Sequence, residues 1–365
     1  MRAVTTLLIT TALMGVPAAY AQSNNQYNGG DATAVTNVEA AWANDAGATA
    51  VASGNAVTTT QEDNDTTLTS TQHMDGDTSA DANATVWTAT GNVSITSAAV
   101  SNGGTATITN GSSDINAEQL GHGDASATVT LRNGYSMNAA TSAAASNNTA
   151  AVSAQSAELR LLMNQESVGS VNASAEMDAD IVEDQAVSGA VASANNLSVG
   201  GETATVLNAT TQNASGGSVT AHSDLYAGYA TDASGNATAN ANSTTIDNQW
   251  GYVNASITQN SSATVSADSY VTLGSDFTGF GSAGAYGVGN QALVSNAGSD
   301  TVMDVSQANG GDVYSNAALA GEDGGMALAS SAAYGNNISG SLCTNCDATG
   351  SAPSLTASST QVNDG

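Results

Sequence analysis

The chain has 365 residues, 41% of them hydrophobic but only 4% aromatic, and carries a formal net charge of -29. Its apolar residues are mostly Ala and Val, which excludes one large globular core and favours many thin layers of small side chains. It holds no lysine, and beyond the leader only Arg132 and Arg160 are basic; nucleic acid is therefore excluded as a partner, because neutralising phosphates takes Lys and Arg in number.

In chain order, Met1 to Ala21 reads as a secretory signal peptide. Arg2 precedes a short apolar run from Leu7 to Val16, and Ala19-Tyr20-Ala21 supplies small-x-small cleavage chemistry before Gln22. Residues 22–365 then form one repeat domain. A glutamine followed four residues later by glycine recurs as Gln26, Gln72, Gln119, Gln165, Gln212, Gln307 and Gln361, with Gln259 followed by Ala263 as the variant. Successive glutamines lie 46, 47, 46, 47, 47, 48 and 54 residues apart. An asparagine stands 17 residues before each of the glutamines from Gln72 to Gln307: Asn55, Asn102, Asn148, Asn195, Asn242 and Asn290. Two markers in fixed phase indicate a stacked repeat architecture and argue against disorder.

Within each unit, Gly-rich turn chemistry such as Asn28-Gly29-Gly30-Asp31 gives way to alternating runs such as Ala125-Ser-Ala-Thr-Val-Thr-Leu131, the period of two expected of strands. Paired alanines precede the asparagines, for example Ala143 and Ala145 or Ala190 and Ala192. Glu158 to Met163 could pass for a helical turn, but its place in the register favours strand. The predicted fold is all-β, a parallel β-solenoid of about seven 47-residue units. A unit wound as one coil would have a perimeter of about 155 Å and a lumen that Ala and Val cannot fill. The expectation is therefore two coils per unit, about fourteen coils in all and a rod of roughly 65 to 70 Å. The Gln and Asn markers are assigned to coil corners, where their amides would satisfy turn groups that strand ladders leave unpaired.

The last unit is longer and holds the only cysteines, Cys343 and Cys346, which in an exported chain predict a tight local disulfide. His73, His122 and His222 occupy different positions in their units, so the sequence suggests no ladder and no metal site among them. No nucleophile elbow, phosphate loop or zinc signature is present. We therefore expect no catalytic, cofactor-binding or metal-ligating residues. Acid clusters such as Glu62-Asp63-Asn64-Asp65 read as solvated turns. Phe277, Phe280 and seven tyrosines crowd the C-terminal half; they read either as glycan-binding rings or as plugs of a locally wider core.

The leader ending Ala-Tyr-Ala, the lysine-free composition, and units with Ala50-Val-Ala-Ser-Gly-Asn55 and Thr211-Gln-Asn213 or Thr258-Gln-Asn260 resemble the holdfast anchor protein D family of stalked alphaproteobacteria. That resemblance implies an exported cell-surface protein, related in style to curli, that ties an adhesive polysaccharide to the outer membrane alongside other anchor and secretion proteins. It transfers no catalytic residues. The period departs from curlin, whose units are about half as long. The alternatives are a carbohydrate-active β-helix enzyme, lyase or hydrolase, and a calcium-binding secreted adhesin. Both ends of the repeat domain fall at nearly the same phase of the unit, so head-to-tail self-assembly is a further expectation.

Overall fold

A computed structural model of the protein describes residues 11–13, 20–274, 277–322, 324–343 and 352–365. Every element among them is a β-strand, and all strands pair in parallel within one continuous sheet that winds upon itself. Among the described residues no helix is long and apolar enough to cross a membrane. The protein is a parallel β-solenoid.

Its coil is the whole unit. Ala32, Thr78, Ala125, Val171, Val219, Val265 and Val313 stand one above another in hydrogen-bonded register, so one turn of the solenoid consumes one 46- to 48-residue unit. The expected two coils per unit do not form. The perimeter argument assumed a rounded section, whereas the coil lies flat with facing walls in contact, so no lumen needs filling. Seven coils at about 4.8 Å give a stack about 34 Å tall, half the expected length.

The coil from Val171 illustrates the construction. A first leg, 171–179, turns a corner at 180–185 into a second leg, 186–193, and all of this lies within the strand Val171–Glu202. Ser188 Oγ donates to the Ala175 carbonyl at 3.1 Å, tying these two legs face to face. Alternation is then broken at Ala194 and Asn195, the end of a run of four buried residues that starts at Ala192, which shifts the inward-facing set by one residue. The third leg runs on to Glu202, and a corner at Thr203 leads to the fourth leg, Thr205–Ala214. A glycine turn returns the chain to the next first leg.

Each corner has a local cause. At the third-to-fourth corner the left-handed position is held in successive coils by Asp63, Asn110, Ser156, Thr203, Trp250 and Gly298, all at positive φ. At the glycine turn, a Cβ on Gly76 would strike the Gly30 carbonyl, one on Gly123 the Gly76 carbonyl, and one on Gly169 the Gly123 carbonyl. The recurring Gln-to-Gly spacing therefore reflects backbone stacked on backbone with no room for a side chain. Aspartates tie turn to turn: Asp31, Asp77 and Asp124 each accept the backbone N–H of the residue one coil on, at 3.0, 2.9 and 2.7 Å.

Two separate cores result. Between first and second legs lies an alanine-rich layer, including Ala143, Ala145, Ala190, Ala192, Ala237 and Ala239. Between third and fourth legs lies a bulkier layer of Leu159, Leu161, Leu197, Val206, Ile246 and Ile257. Glu158 to Met163 is strand, with Leu159, Leu161 and Met163 facing in and Arg160 and Leu162 facing out. Small side chains let the first pair of walls approach closely, and larger ones hold the second pair further apart.

Most of the expected signal peptide falls outside the described residues; of it, Thr11–Leu13 pairs with Val57 to Thr59, and Tyr20 and Ala21 stand opposite Thr66 and Thr67. Cys343 is disulfide-bonded, and Cys346, the other cysteine of the chain, lies outside the described residues.

Candidate attachment surfaces

The marker amides meet at the waist between the two cores. Asn55, Asn102, Asn148, Asn195, Asn242 and Asn290 each donate to the side-chain oxygen of the next asparagine at 2.8 to 2.9 Å, the series ending on Asn336. The glutamines run with opposite polarity: Gln72 donates to Gln26, and Gln119, Gln165, Gln212, Gln259, Gln307 and Gln361 each donate to the one before, at 2.7 to 3.0 Å. Second donor hydrogens cross the waist. Gln165 reaches the Asn196 carbonyl at 3.1 Å, and Asn195 reaches the Asn213 carbonyl at 2.8 Å. From Asn55 to Asn290 and from Gln72 to Gln307 these amides are buried and mutually satisfied along the stack, while Gln26, Asn336 and Gln361 end the ladders in more open positions; the buried members form a spine and offer nothing to a ligand. Asn336 escapes the sequence spacing because the last unit is longer, which separates it from Gln361.

Chemistry available to a partner lies on the outside. At the first-to-second corner, Ile181 stands directly opposite Tyr135 on one side and Tyr229 on the other. Two coils nearer the N-terminus, Trp42 and Trp87 sit just before the bridged pair Ala43 and Ala89, exposed at 62% and 64%. Met137 and Phe280 are exposed at the same corner of their coils. A coil-to-coil strip of rings and apolar side chains thus follows one edge of the stack. Glu183 accepts from the Tyr135 hydroxyl and raises its pKa above the ordinary phenol value.

The C-terminal rings whose side chains the structure describes, Phe277 not among them, do not plug the interior. Among the described residues no aromatic side chain belongs to either core, and Tyr226, Tyr314 and Tyr334 are exposed.

At the glycine turn the structure assembles a group that the sequence reading kept apart. His73 Nε2 and His122 Nδ1 lie 2.7 and 3.0 Å from the same Asp75 Oδ1 and 3.1 Å from each other. The Tyr27 hydroxyl donates to Asp75 Oδ2 at 2.7 Å. That hydrogen bond lowers the Asp75 pKa, with the imidazoles adding to the effect and desolvation opposing it, and in return it raises the pKa of Tyr27. His73 and His122 hold different repeat positions, yet Asp75 and His122 are 47 residues apart and His73 lies two residues before Asp75 on the same strand edge. Comparing each residue with positions two before and after its repeat equivalent would have found the group. His222 is elsewhere, against Tyr270.

Arg132 and Arg160 are both on the surface. Arg160 Nη2 lies 3.0 Å from Glu158 Oε1, and its Nε lies 3.9 Å from Asp114, beside an open hollow of about 480 Å³ that also takes in Leu162 and Leu207. Arg132 stands opposite Asp178 on the next coil.

The family model for holdfast attachment protein D matches residues 41–312. The chain belongs to the holdfast attachment protein D family. No curated protein and no solved structure matches it. The matched segment of this holdfast attachment protein D chain spans the buried part of the amide spine, from Asn55 to Gln307, the corner strip from Trp42 to Phe280, and His73, Asp75 and His122; most of the longer last unit lies beyond it. The family's role is holdfast attachment at the cell surface, which points to a structural rather than a catalytic task.

Proposed function

We propose that this chain is a rigid, exported link that anchors an adhesive polysaccharide to the outer membrane, working with other anchor and secretion proteins rather than as an enzyme. The observation that carries the reading is the corner strip of Trp42, Trp87, Tyr135, Ile181, Tyr229 and Phe280. Rings on neighbouring coils, with Ile181 filling the coil between Tyr135 and Tyr229, offer flat apolar faces to successive sugars at little ordering cost. The amide spine supports it by removing internal freedom along the stack. The acidic surface, with almost no cations, suits a neutral or basic glycan.

The test is retention of adhesive by cells. A Trp42→Ala, Trp87→Ala variant present at wild-type level in the outer envelope is expected to shed adhesive polysaccharide into the medium. Full retention by that variant with Tyr135→Ala added would overturn the assignment of the strip. Recovery of the protein only from cytoplasm would overturn its place at the surface.

A further inference from the structure

We infer that His73, Asp75 and His122 bind a first-row divalent cation of the zinc class, and that this ion staples neighbouring coils of the solenoid at the glycine turn. Two imidazole nitrogens and one carboxylate oxygen converge, with mutual separations of 2.7, 3.0 and 3.1 Å. Tetrahedral ligation at about 2.0 to 2.1 Å places neighbouring donors about 3.3 Å apart. Small outward rotations of two partly exposed imidazoles therefore open the cluster to the size that such an ion requires. Mixed nitrogen and oxygen donors favour zinc, copper or nickel over calcium and magnesium, which take oxygen.

The surroundings are arranged as a ligand set needs. Tyr27 occupies Asp75 Oδ2 at 2.7 Å, which leaves Oδ1, the oxygen between the imidazoles, as the one aimed at an ion. Ring contacts fix the imidazoles: Tyr27 meets His73 edge-on at 5.2 Å, and His73 meets His122 edge-on at 4.7 Å. The three donors come from two coils, His73 and Asp75 from one and His122 from the next, while Tyr27 belongs to a third. Their side chains are partly open to solvent, so an ion can enter and retain a water, or take a donor from a bound partner, in a fourth position.

The experiment is calorimetric titration of Zn2+ into the purified, untagged chain, in millimolar Ca2+ to occupy weak carboxylate sites, with Co2+ absorption spectra in parallel. The expected result is one tight Zn2+ per chain and a thermal midpoint that rises with Zn2+. Affinity should weaken at least about tenfold in His73→Gln, His122→Gln and Asp75→Asn, and about tenfold in Tyr27→Phe, which loses only the supporting hydrogen bond. His222→Gln should bind as wild type does. Circular dichroism of each variant without metal is expected to match wild type, because the side chains are on the surface. No tight site in wild type, or binding by His73→Gln and His122→Gln as tight as in wild type, would overturn the inference and leave the general acidity of the chain as the source of any uptake.

Discussion

Gln165 shows what the repeat demands of a single side chain. It is fully buried, donates to Gln119 Oε1 at 2.7 Å and to the Asn196 carbonyl at 3.1 Å, and accepts from Gln212 at 2.7 Å. Leucine would fill nearly the same volume while leaving those partners unpaired away from water. Gln165→Leu is expected to lower stability by about 1 to 3 kcal/mol, read as a lower denaturant midpoint in urea melts. Gln361→Leu, at the exposed end of the same ladder with its single bond to Gln307 at 2.9 Å, should change the midpoint little. Equal effects at the two positions would refute the spine as a buried, mutually dependent element.

The four legs of a coil are held by different means, and the last fourth leg depends on charge. Asp300 Oδ1 accepts the Ser354 backbone N–H at 2.7 Å and the Ser354 hydroxyl at 2.9 Å, just before the strand Leu355–Asn363. Those two bonds, the backbone one foremost, lower the Asp300 pKa, with desolvation opposing. A lowered folded-state pKa means the contribution is present above the unfolded carboxylate value of about 3.9 and is lost as pH falls through the folded value. Hydrogen exchange of residues 355–363 should therefore lose protection on acidification from pH 6 to pH 3, while the Ile246 to Ile257 layer keeps more of its own. In Asp300→Ala, protection of that leg should already be reduced at pH 6, with a weaker dependence on acid. Loss of protection at the same pH throughout the chain would count against a local clamp.

For the whole molecule, one coil per unit makes a short, broad stack rather than a long rod. Among the described residues, no strand covers the outer edges of Val313–Ala320 and Leu355–Asn363. Leu355 and Val362 are exposed there. An uncovered parallel edge above two open cores is a template for another coil. We propose end-on docking, either to a second copy or to an anchor protein, with the ladder continued across the joint. Sedimentation and electron microscopy should show concentration-dependent stacks of about 34 Å repeat if copies dock. Replacing Val362 and Ser359 with lysine on that edge should disperse them. Monomers at every concentration, unaltered by these changes, would leave only docking to a different protein.

Much of this was legible in the chain. Alternation marked the legs, paired alanines such as Ala190 and Ala192 marked the thin core, and the glutamine and asparagine spacings marked the spine, because each depends on a residue meeting its own equivalent in the next unit. Tertiary structure alone decided how the chain folds between equivalents. A 47-residue period fits one flat coil or two round ones, and the choice rests on whether facing walls can close on each other, which Ser188 reaching Ala175 and Gln165 reaching Asn196 make possible. It also decided what meets off the repeat, as His73, whose own equivalent is Leu120, meets His122, and Trp42 meets the coil of Trp87. Turn geometry joins those neighbours, and a comparison of each residue with its exact repeat equivalent passes over them.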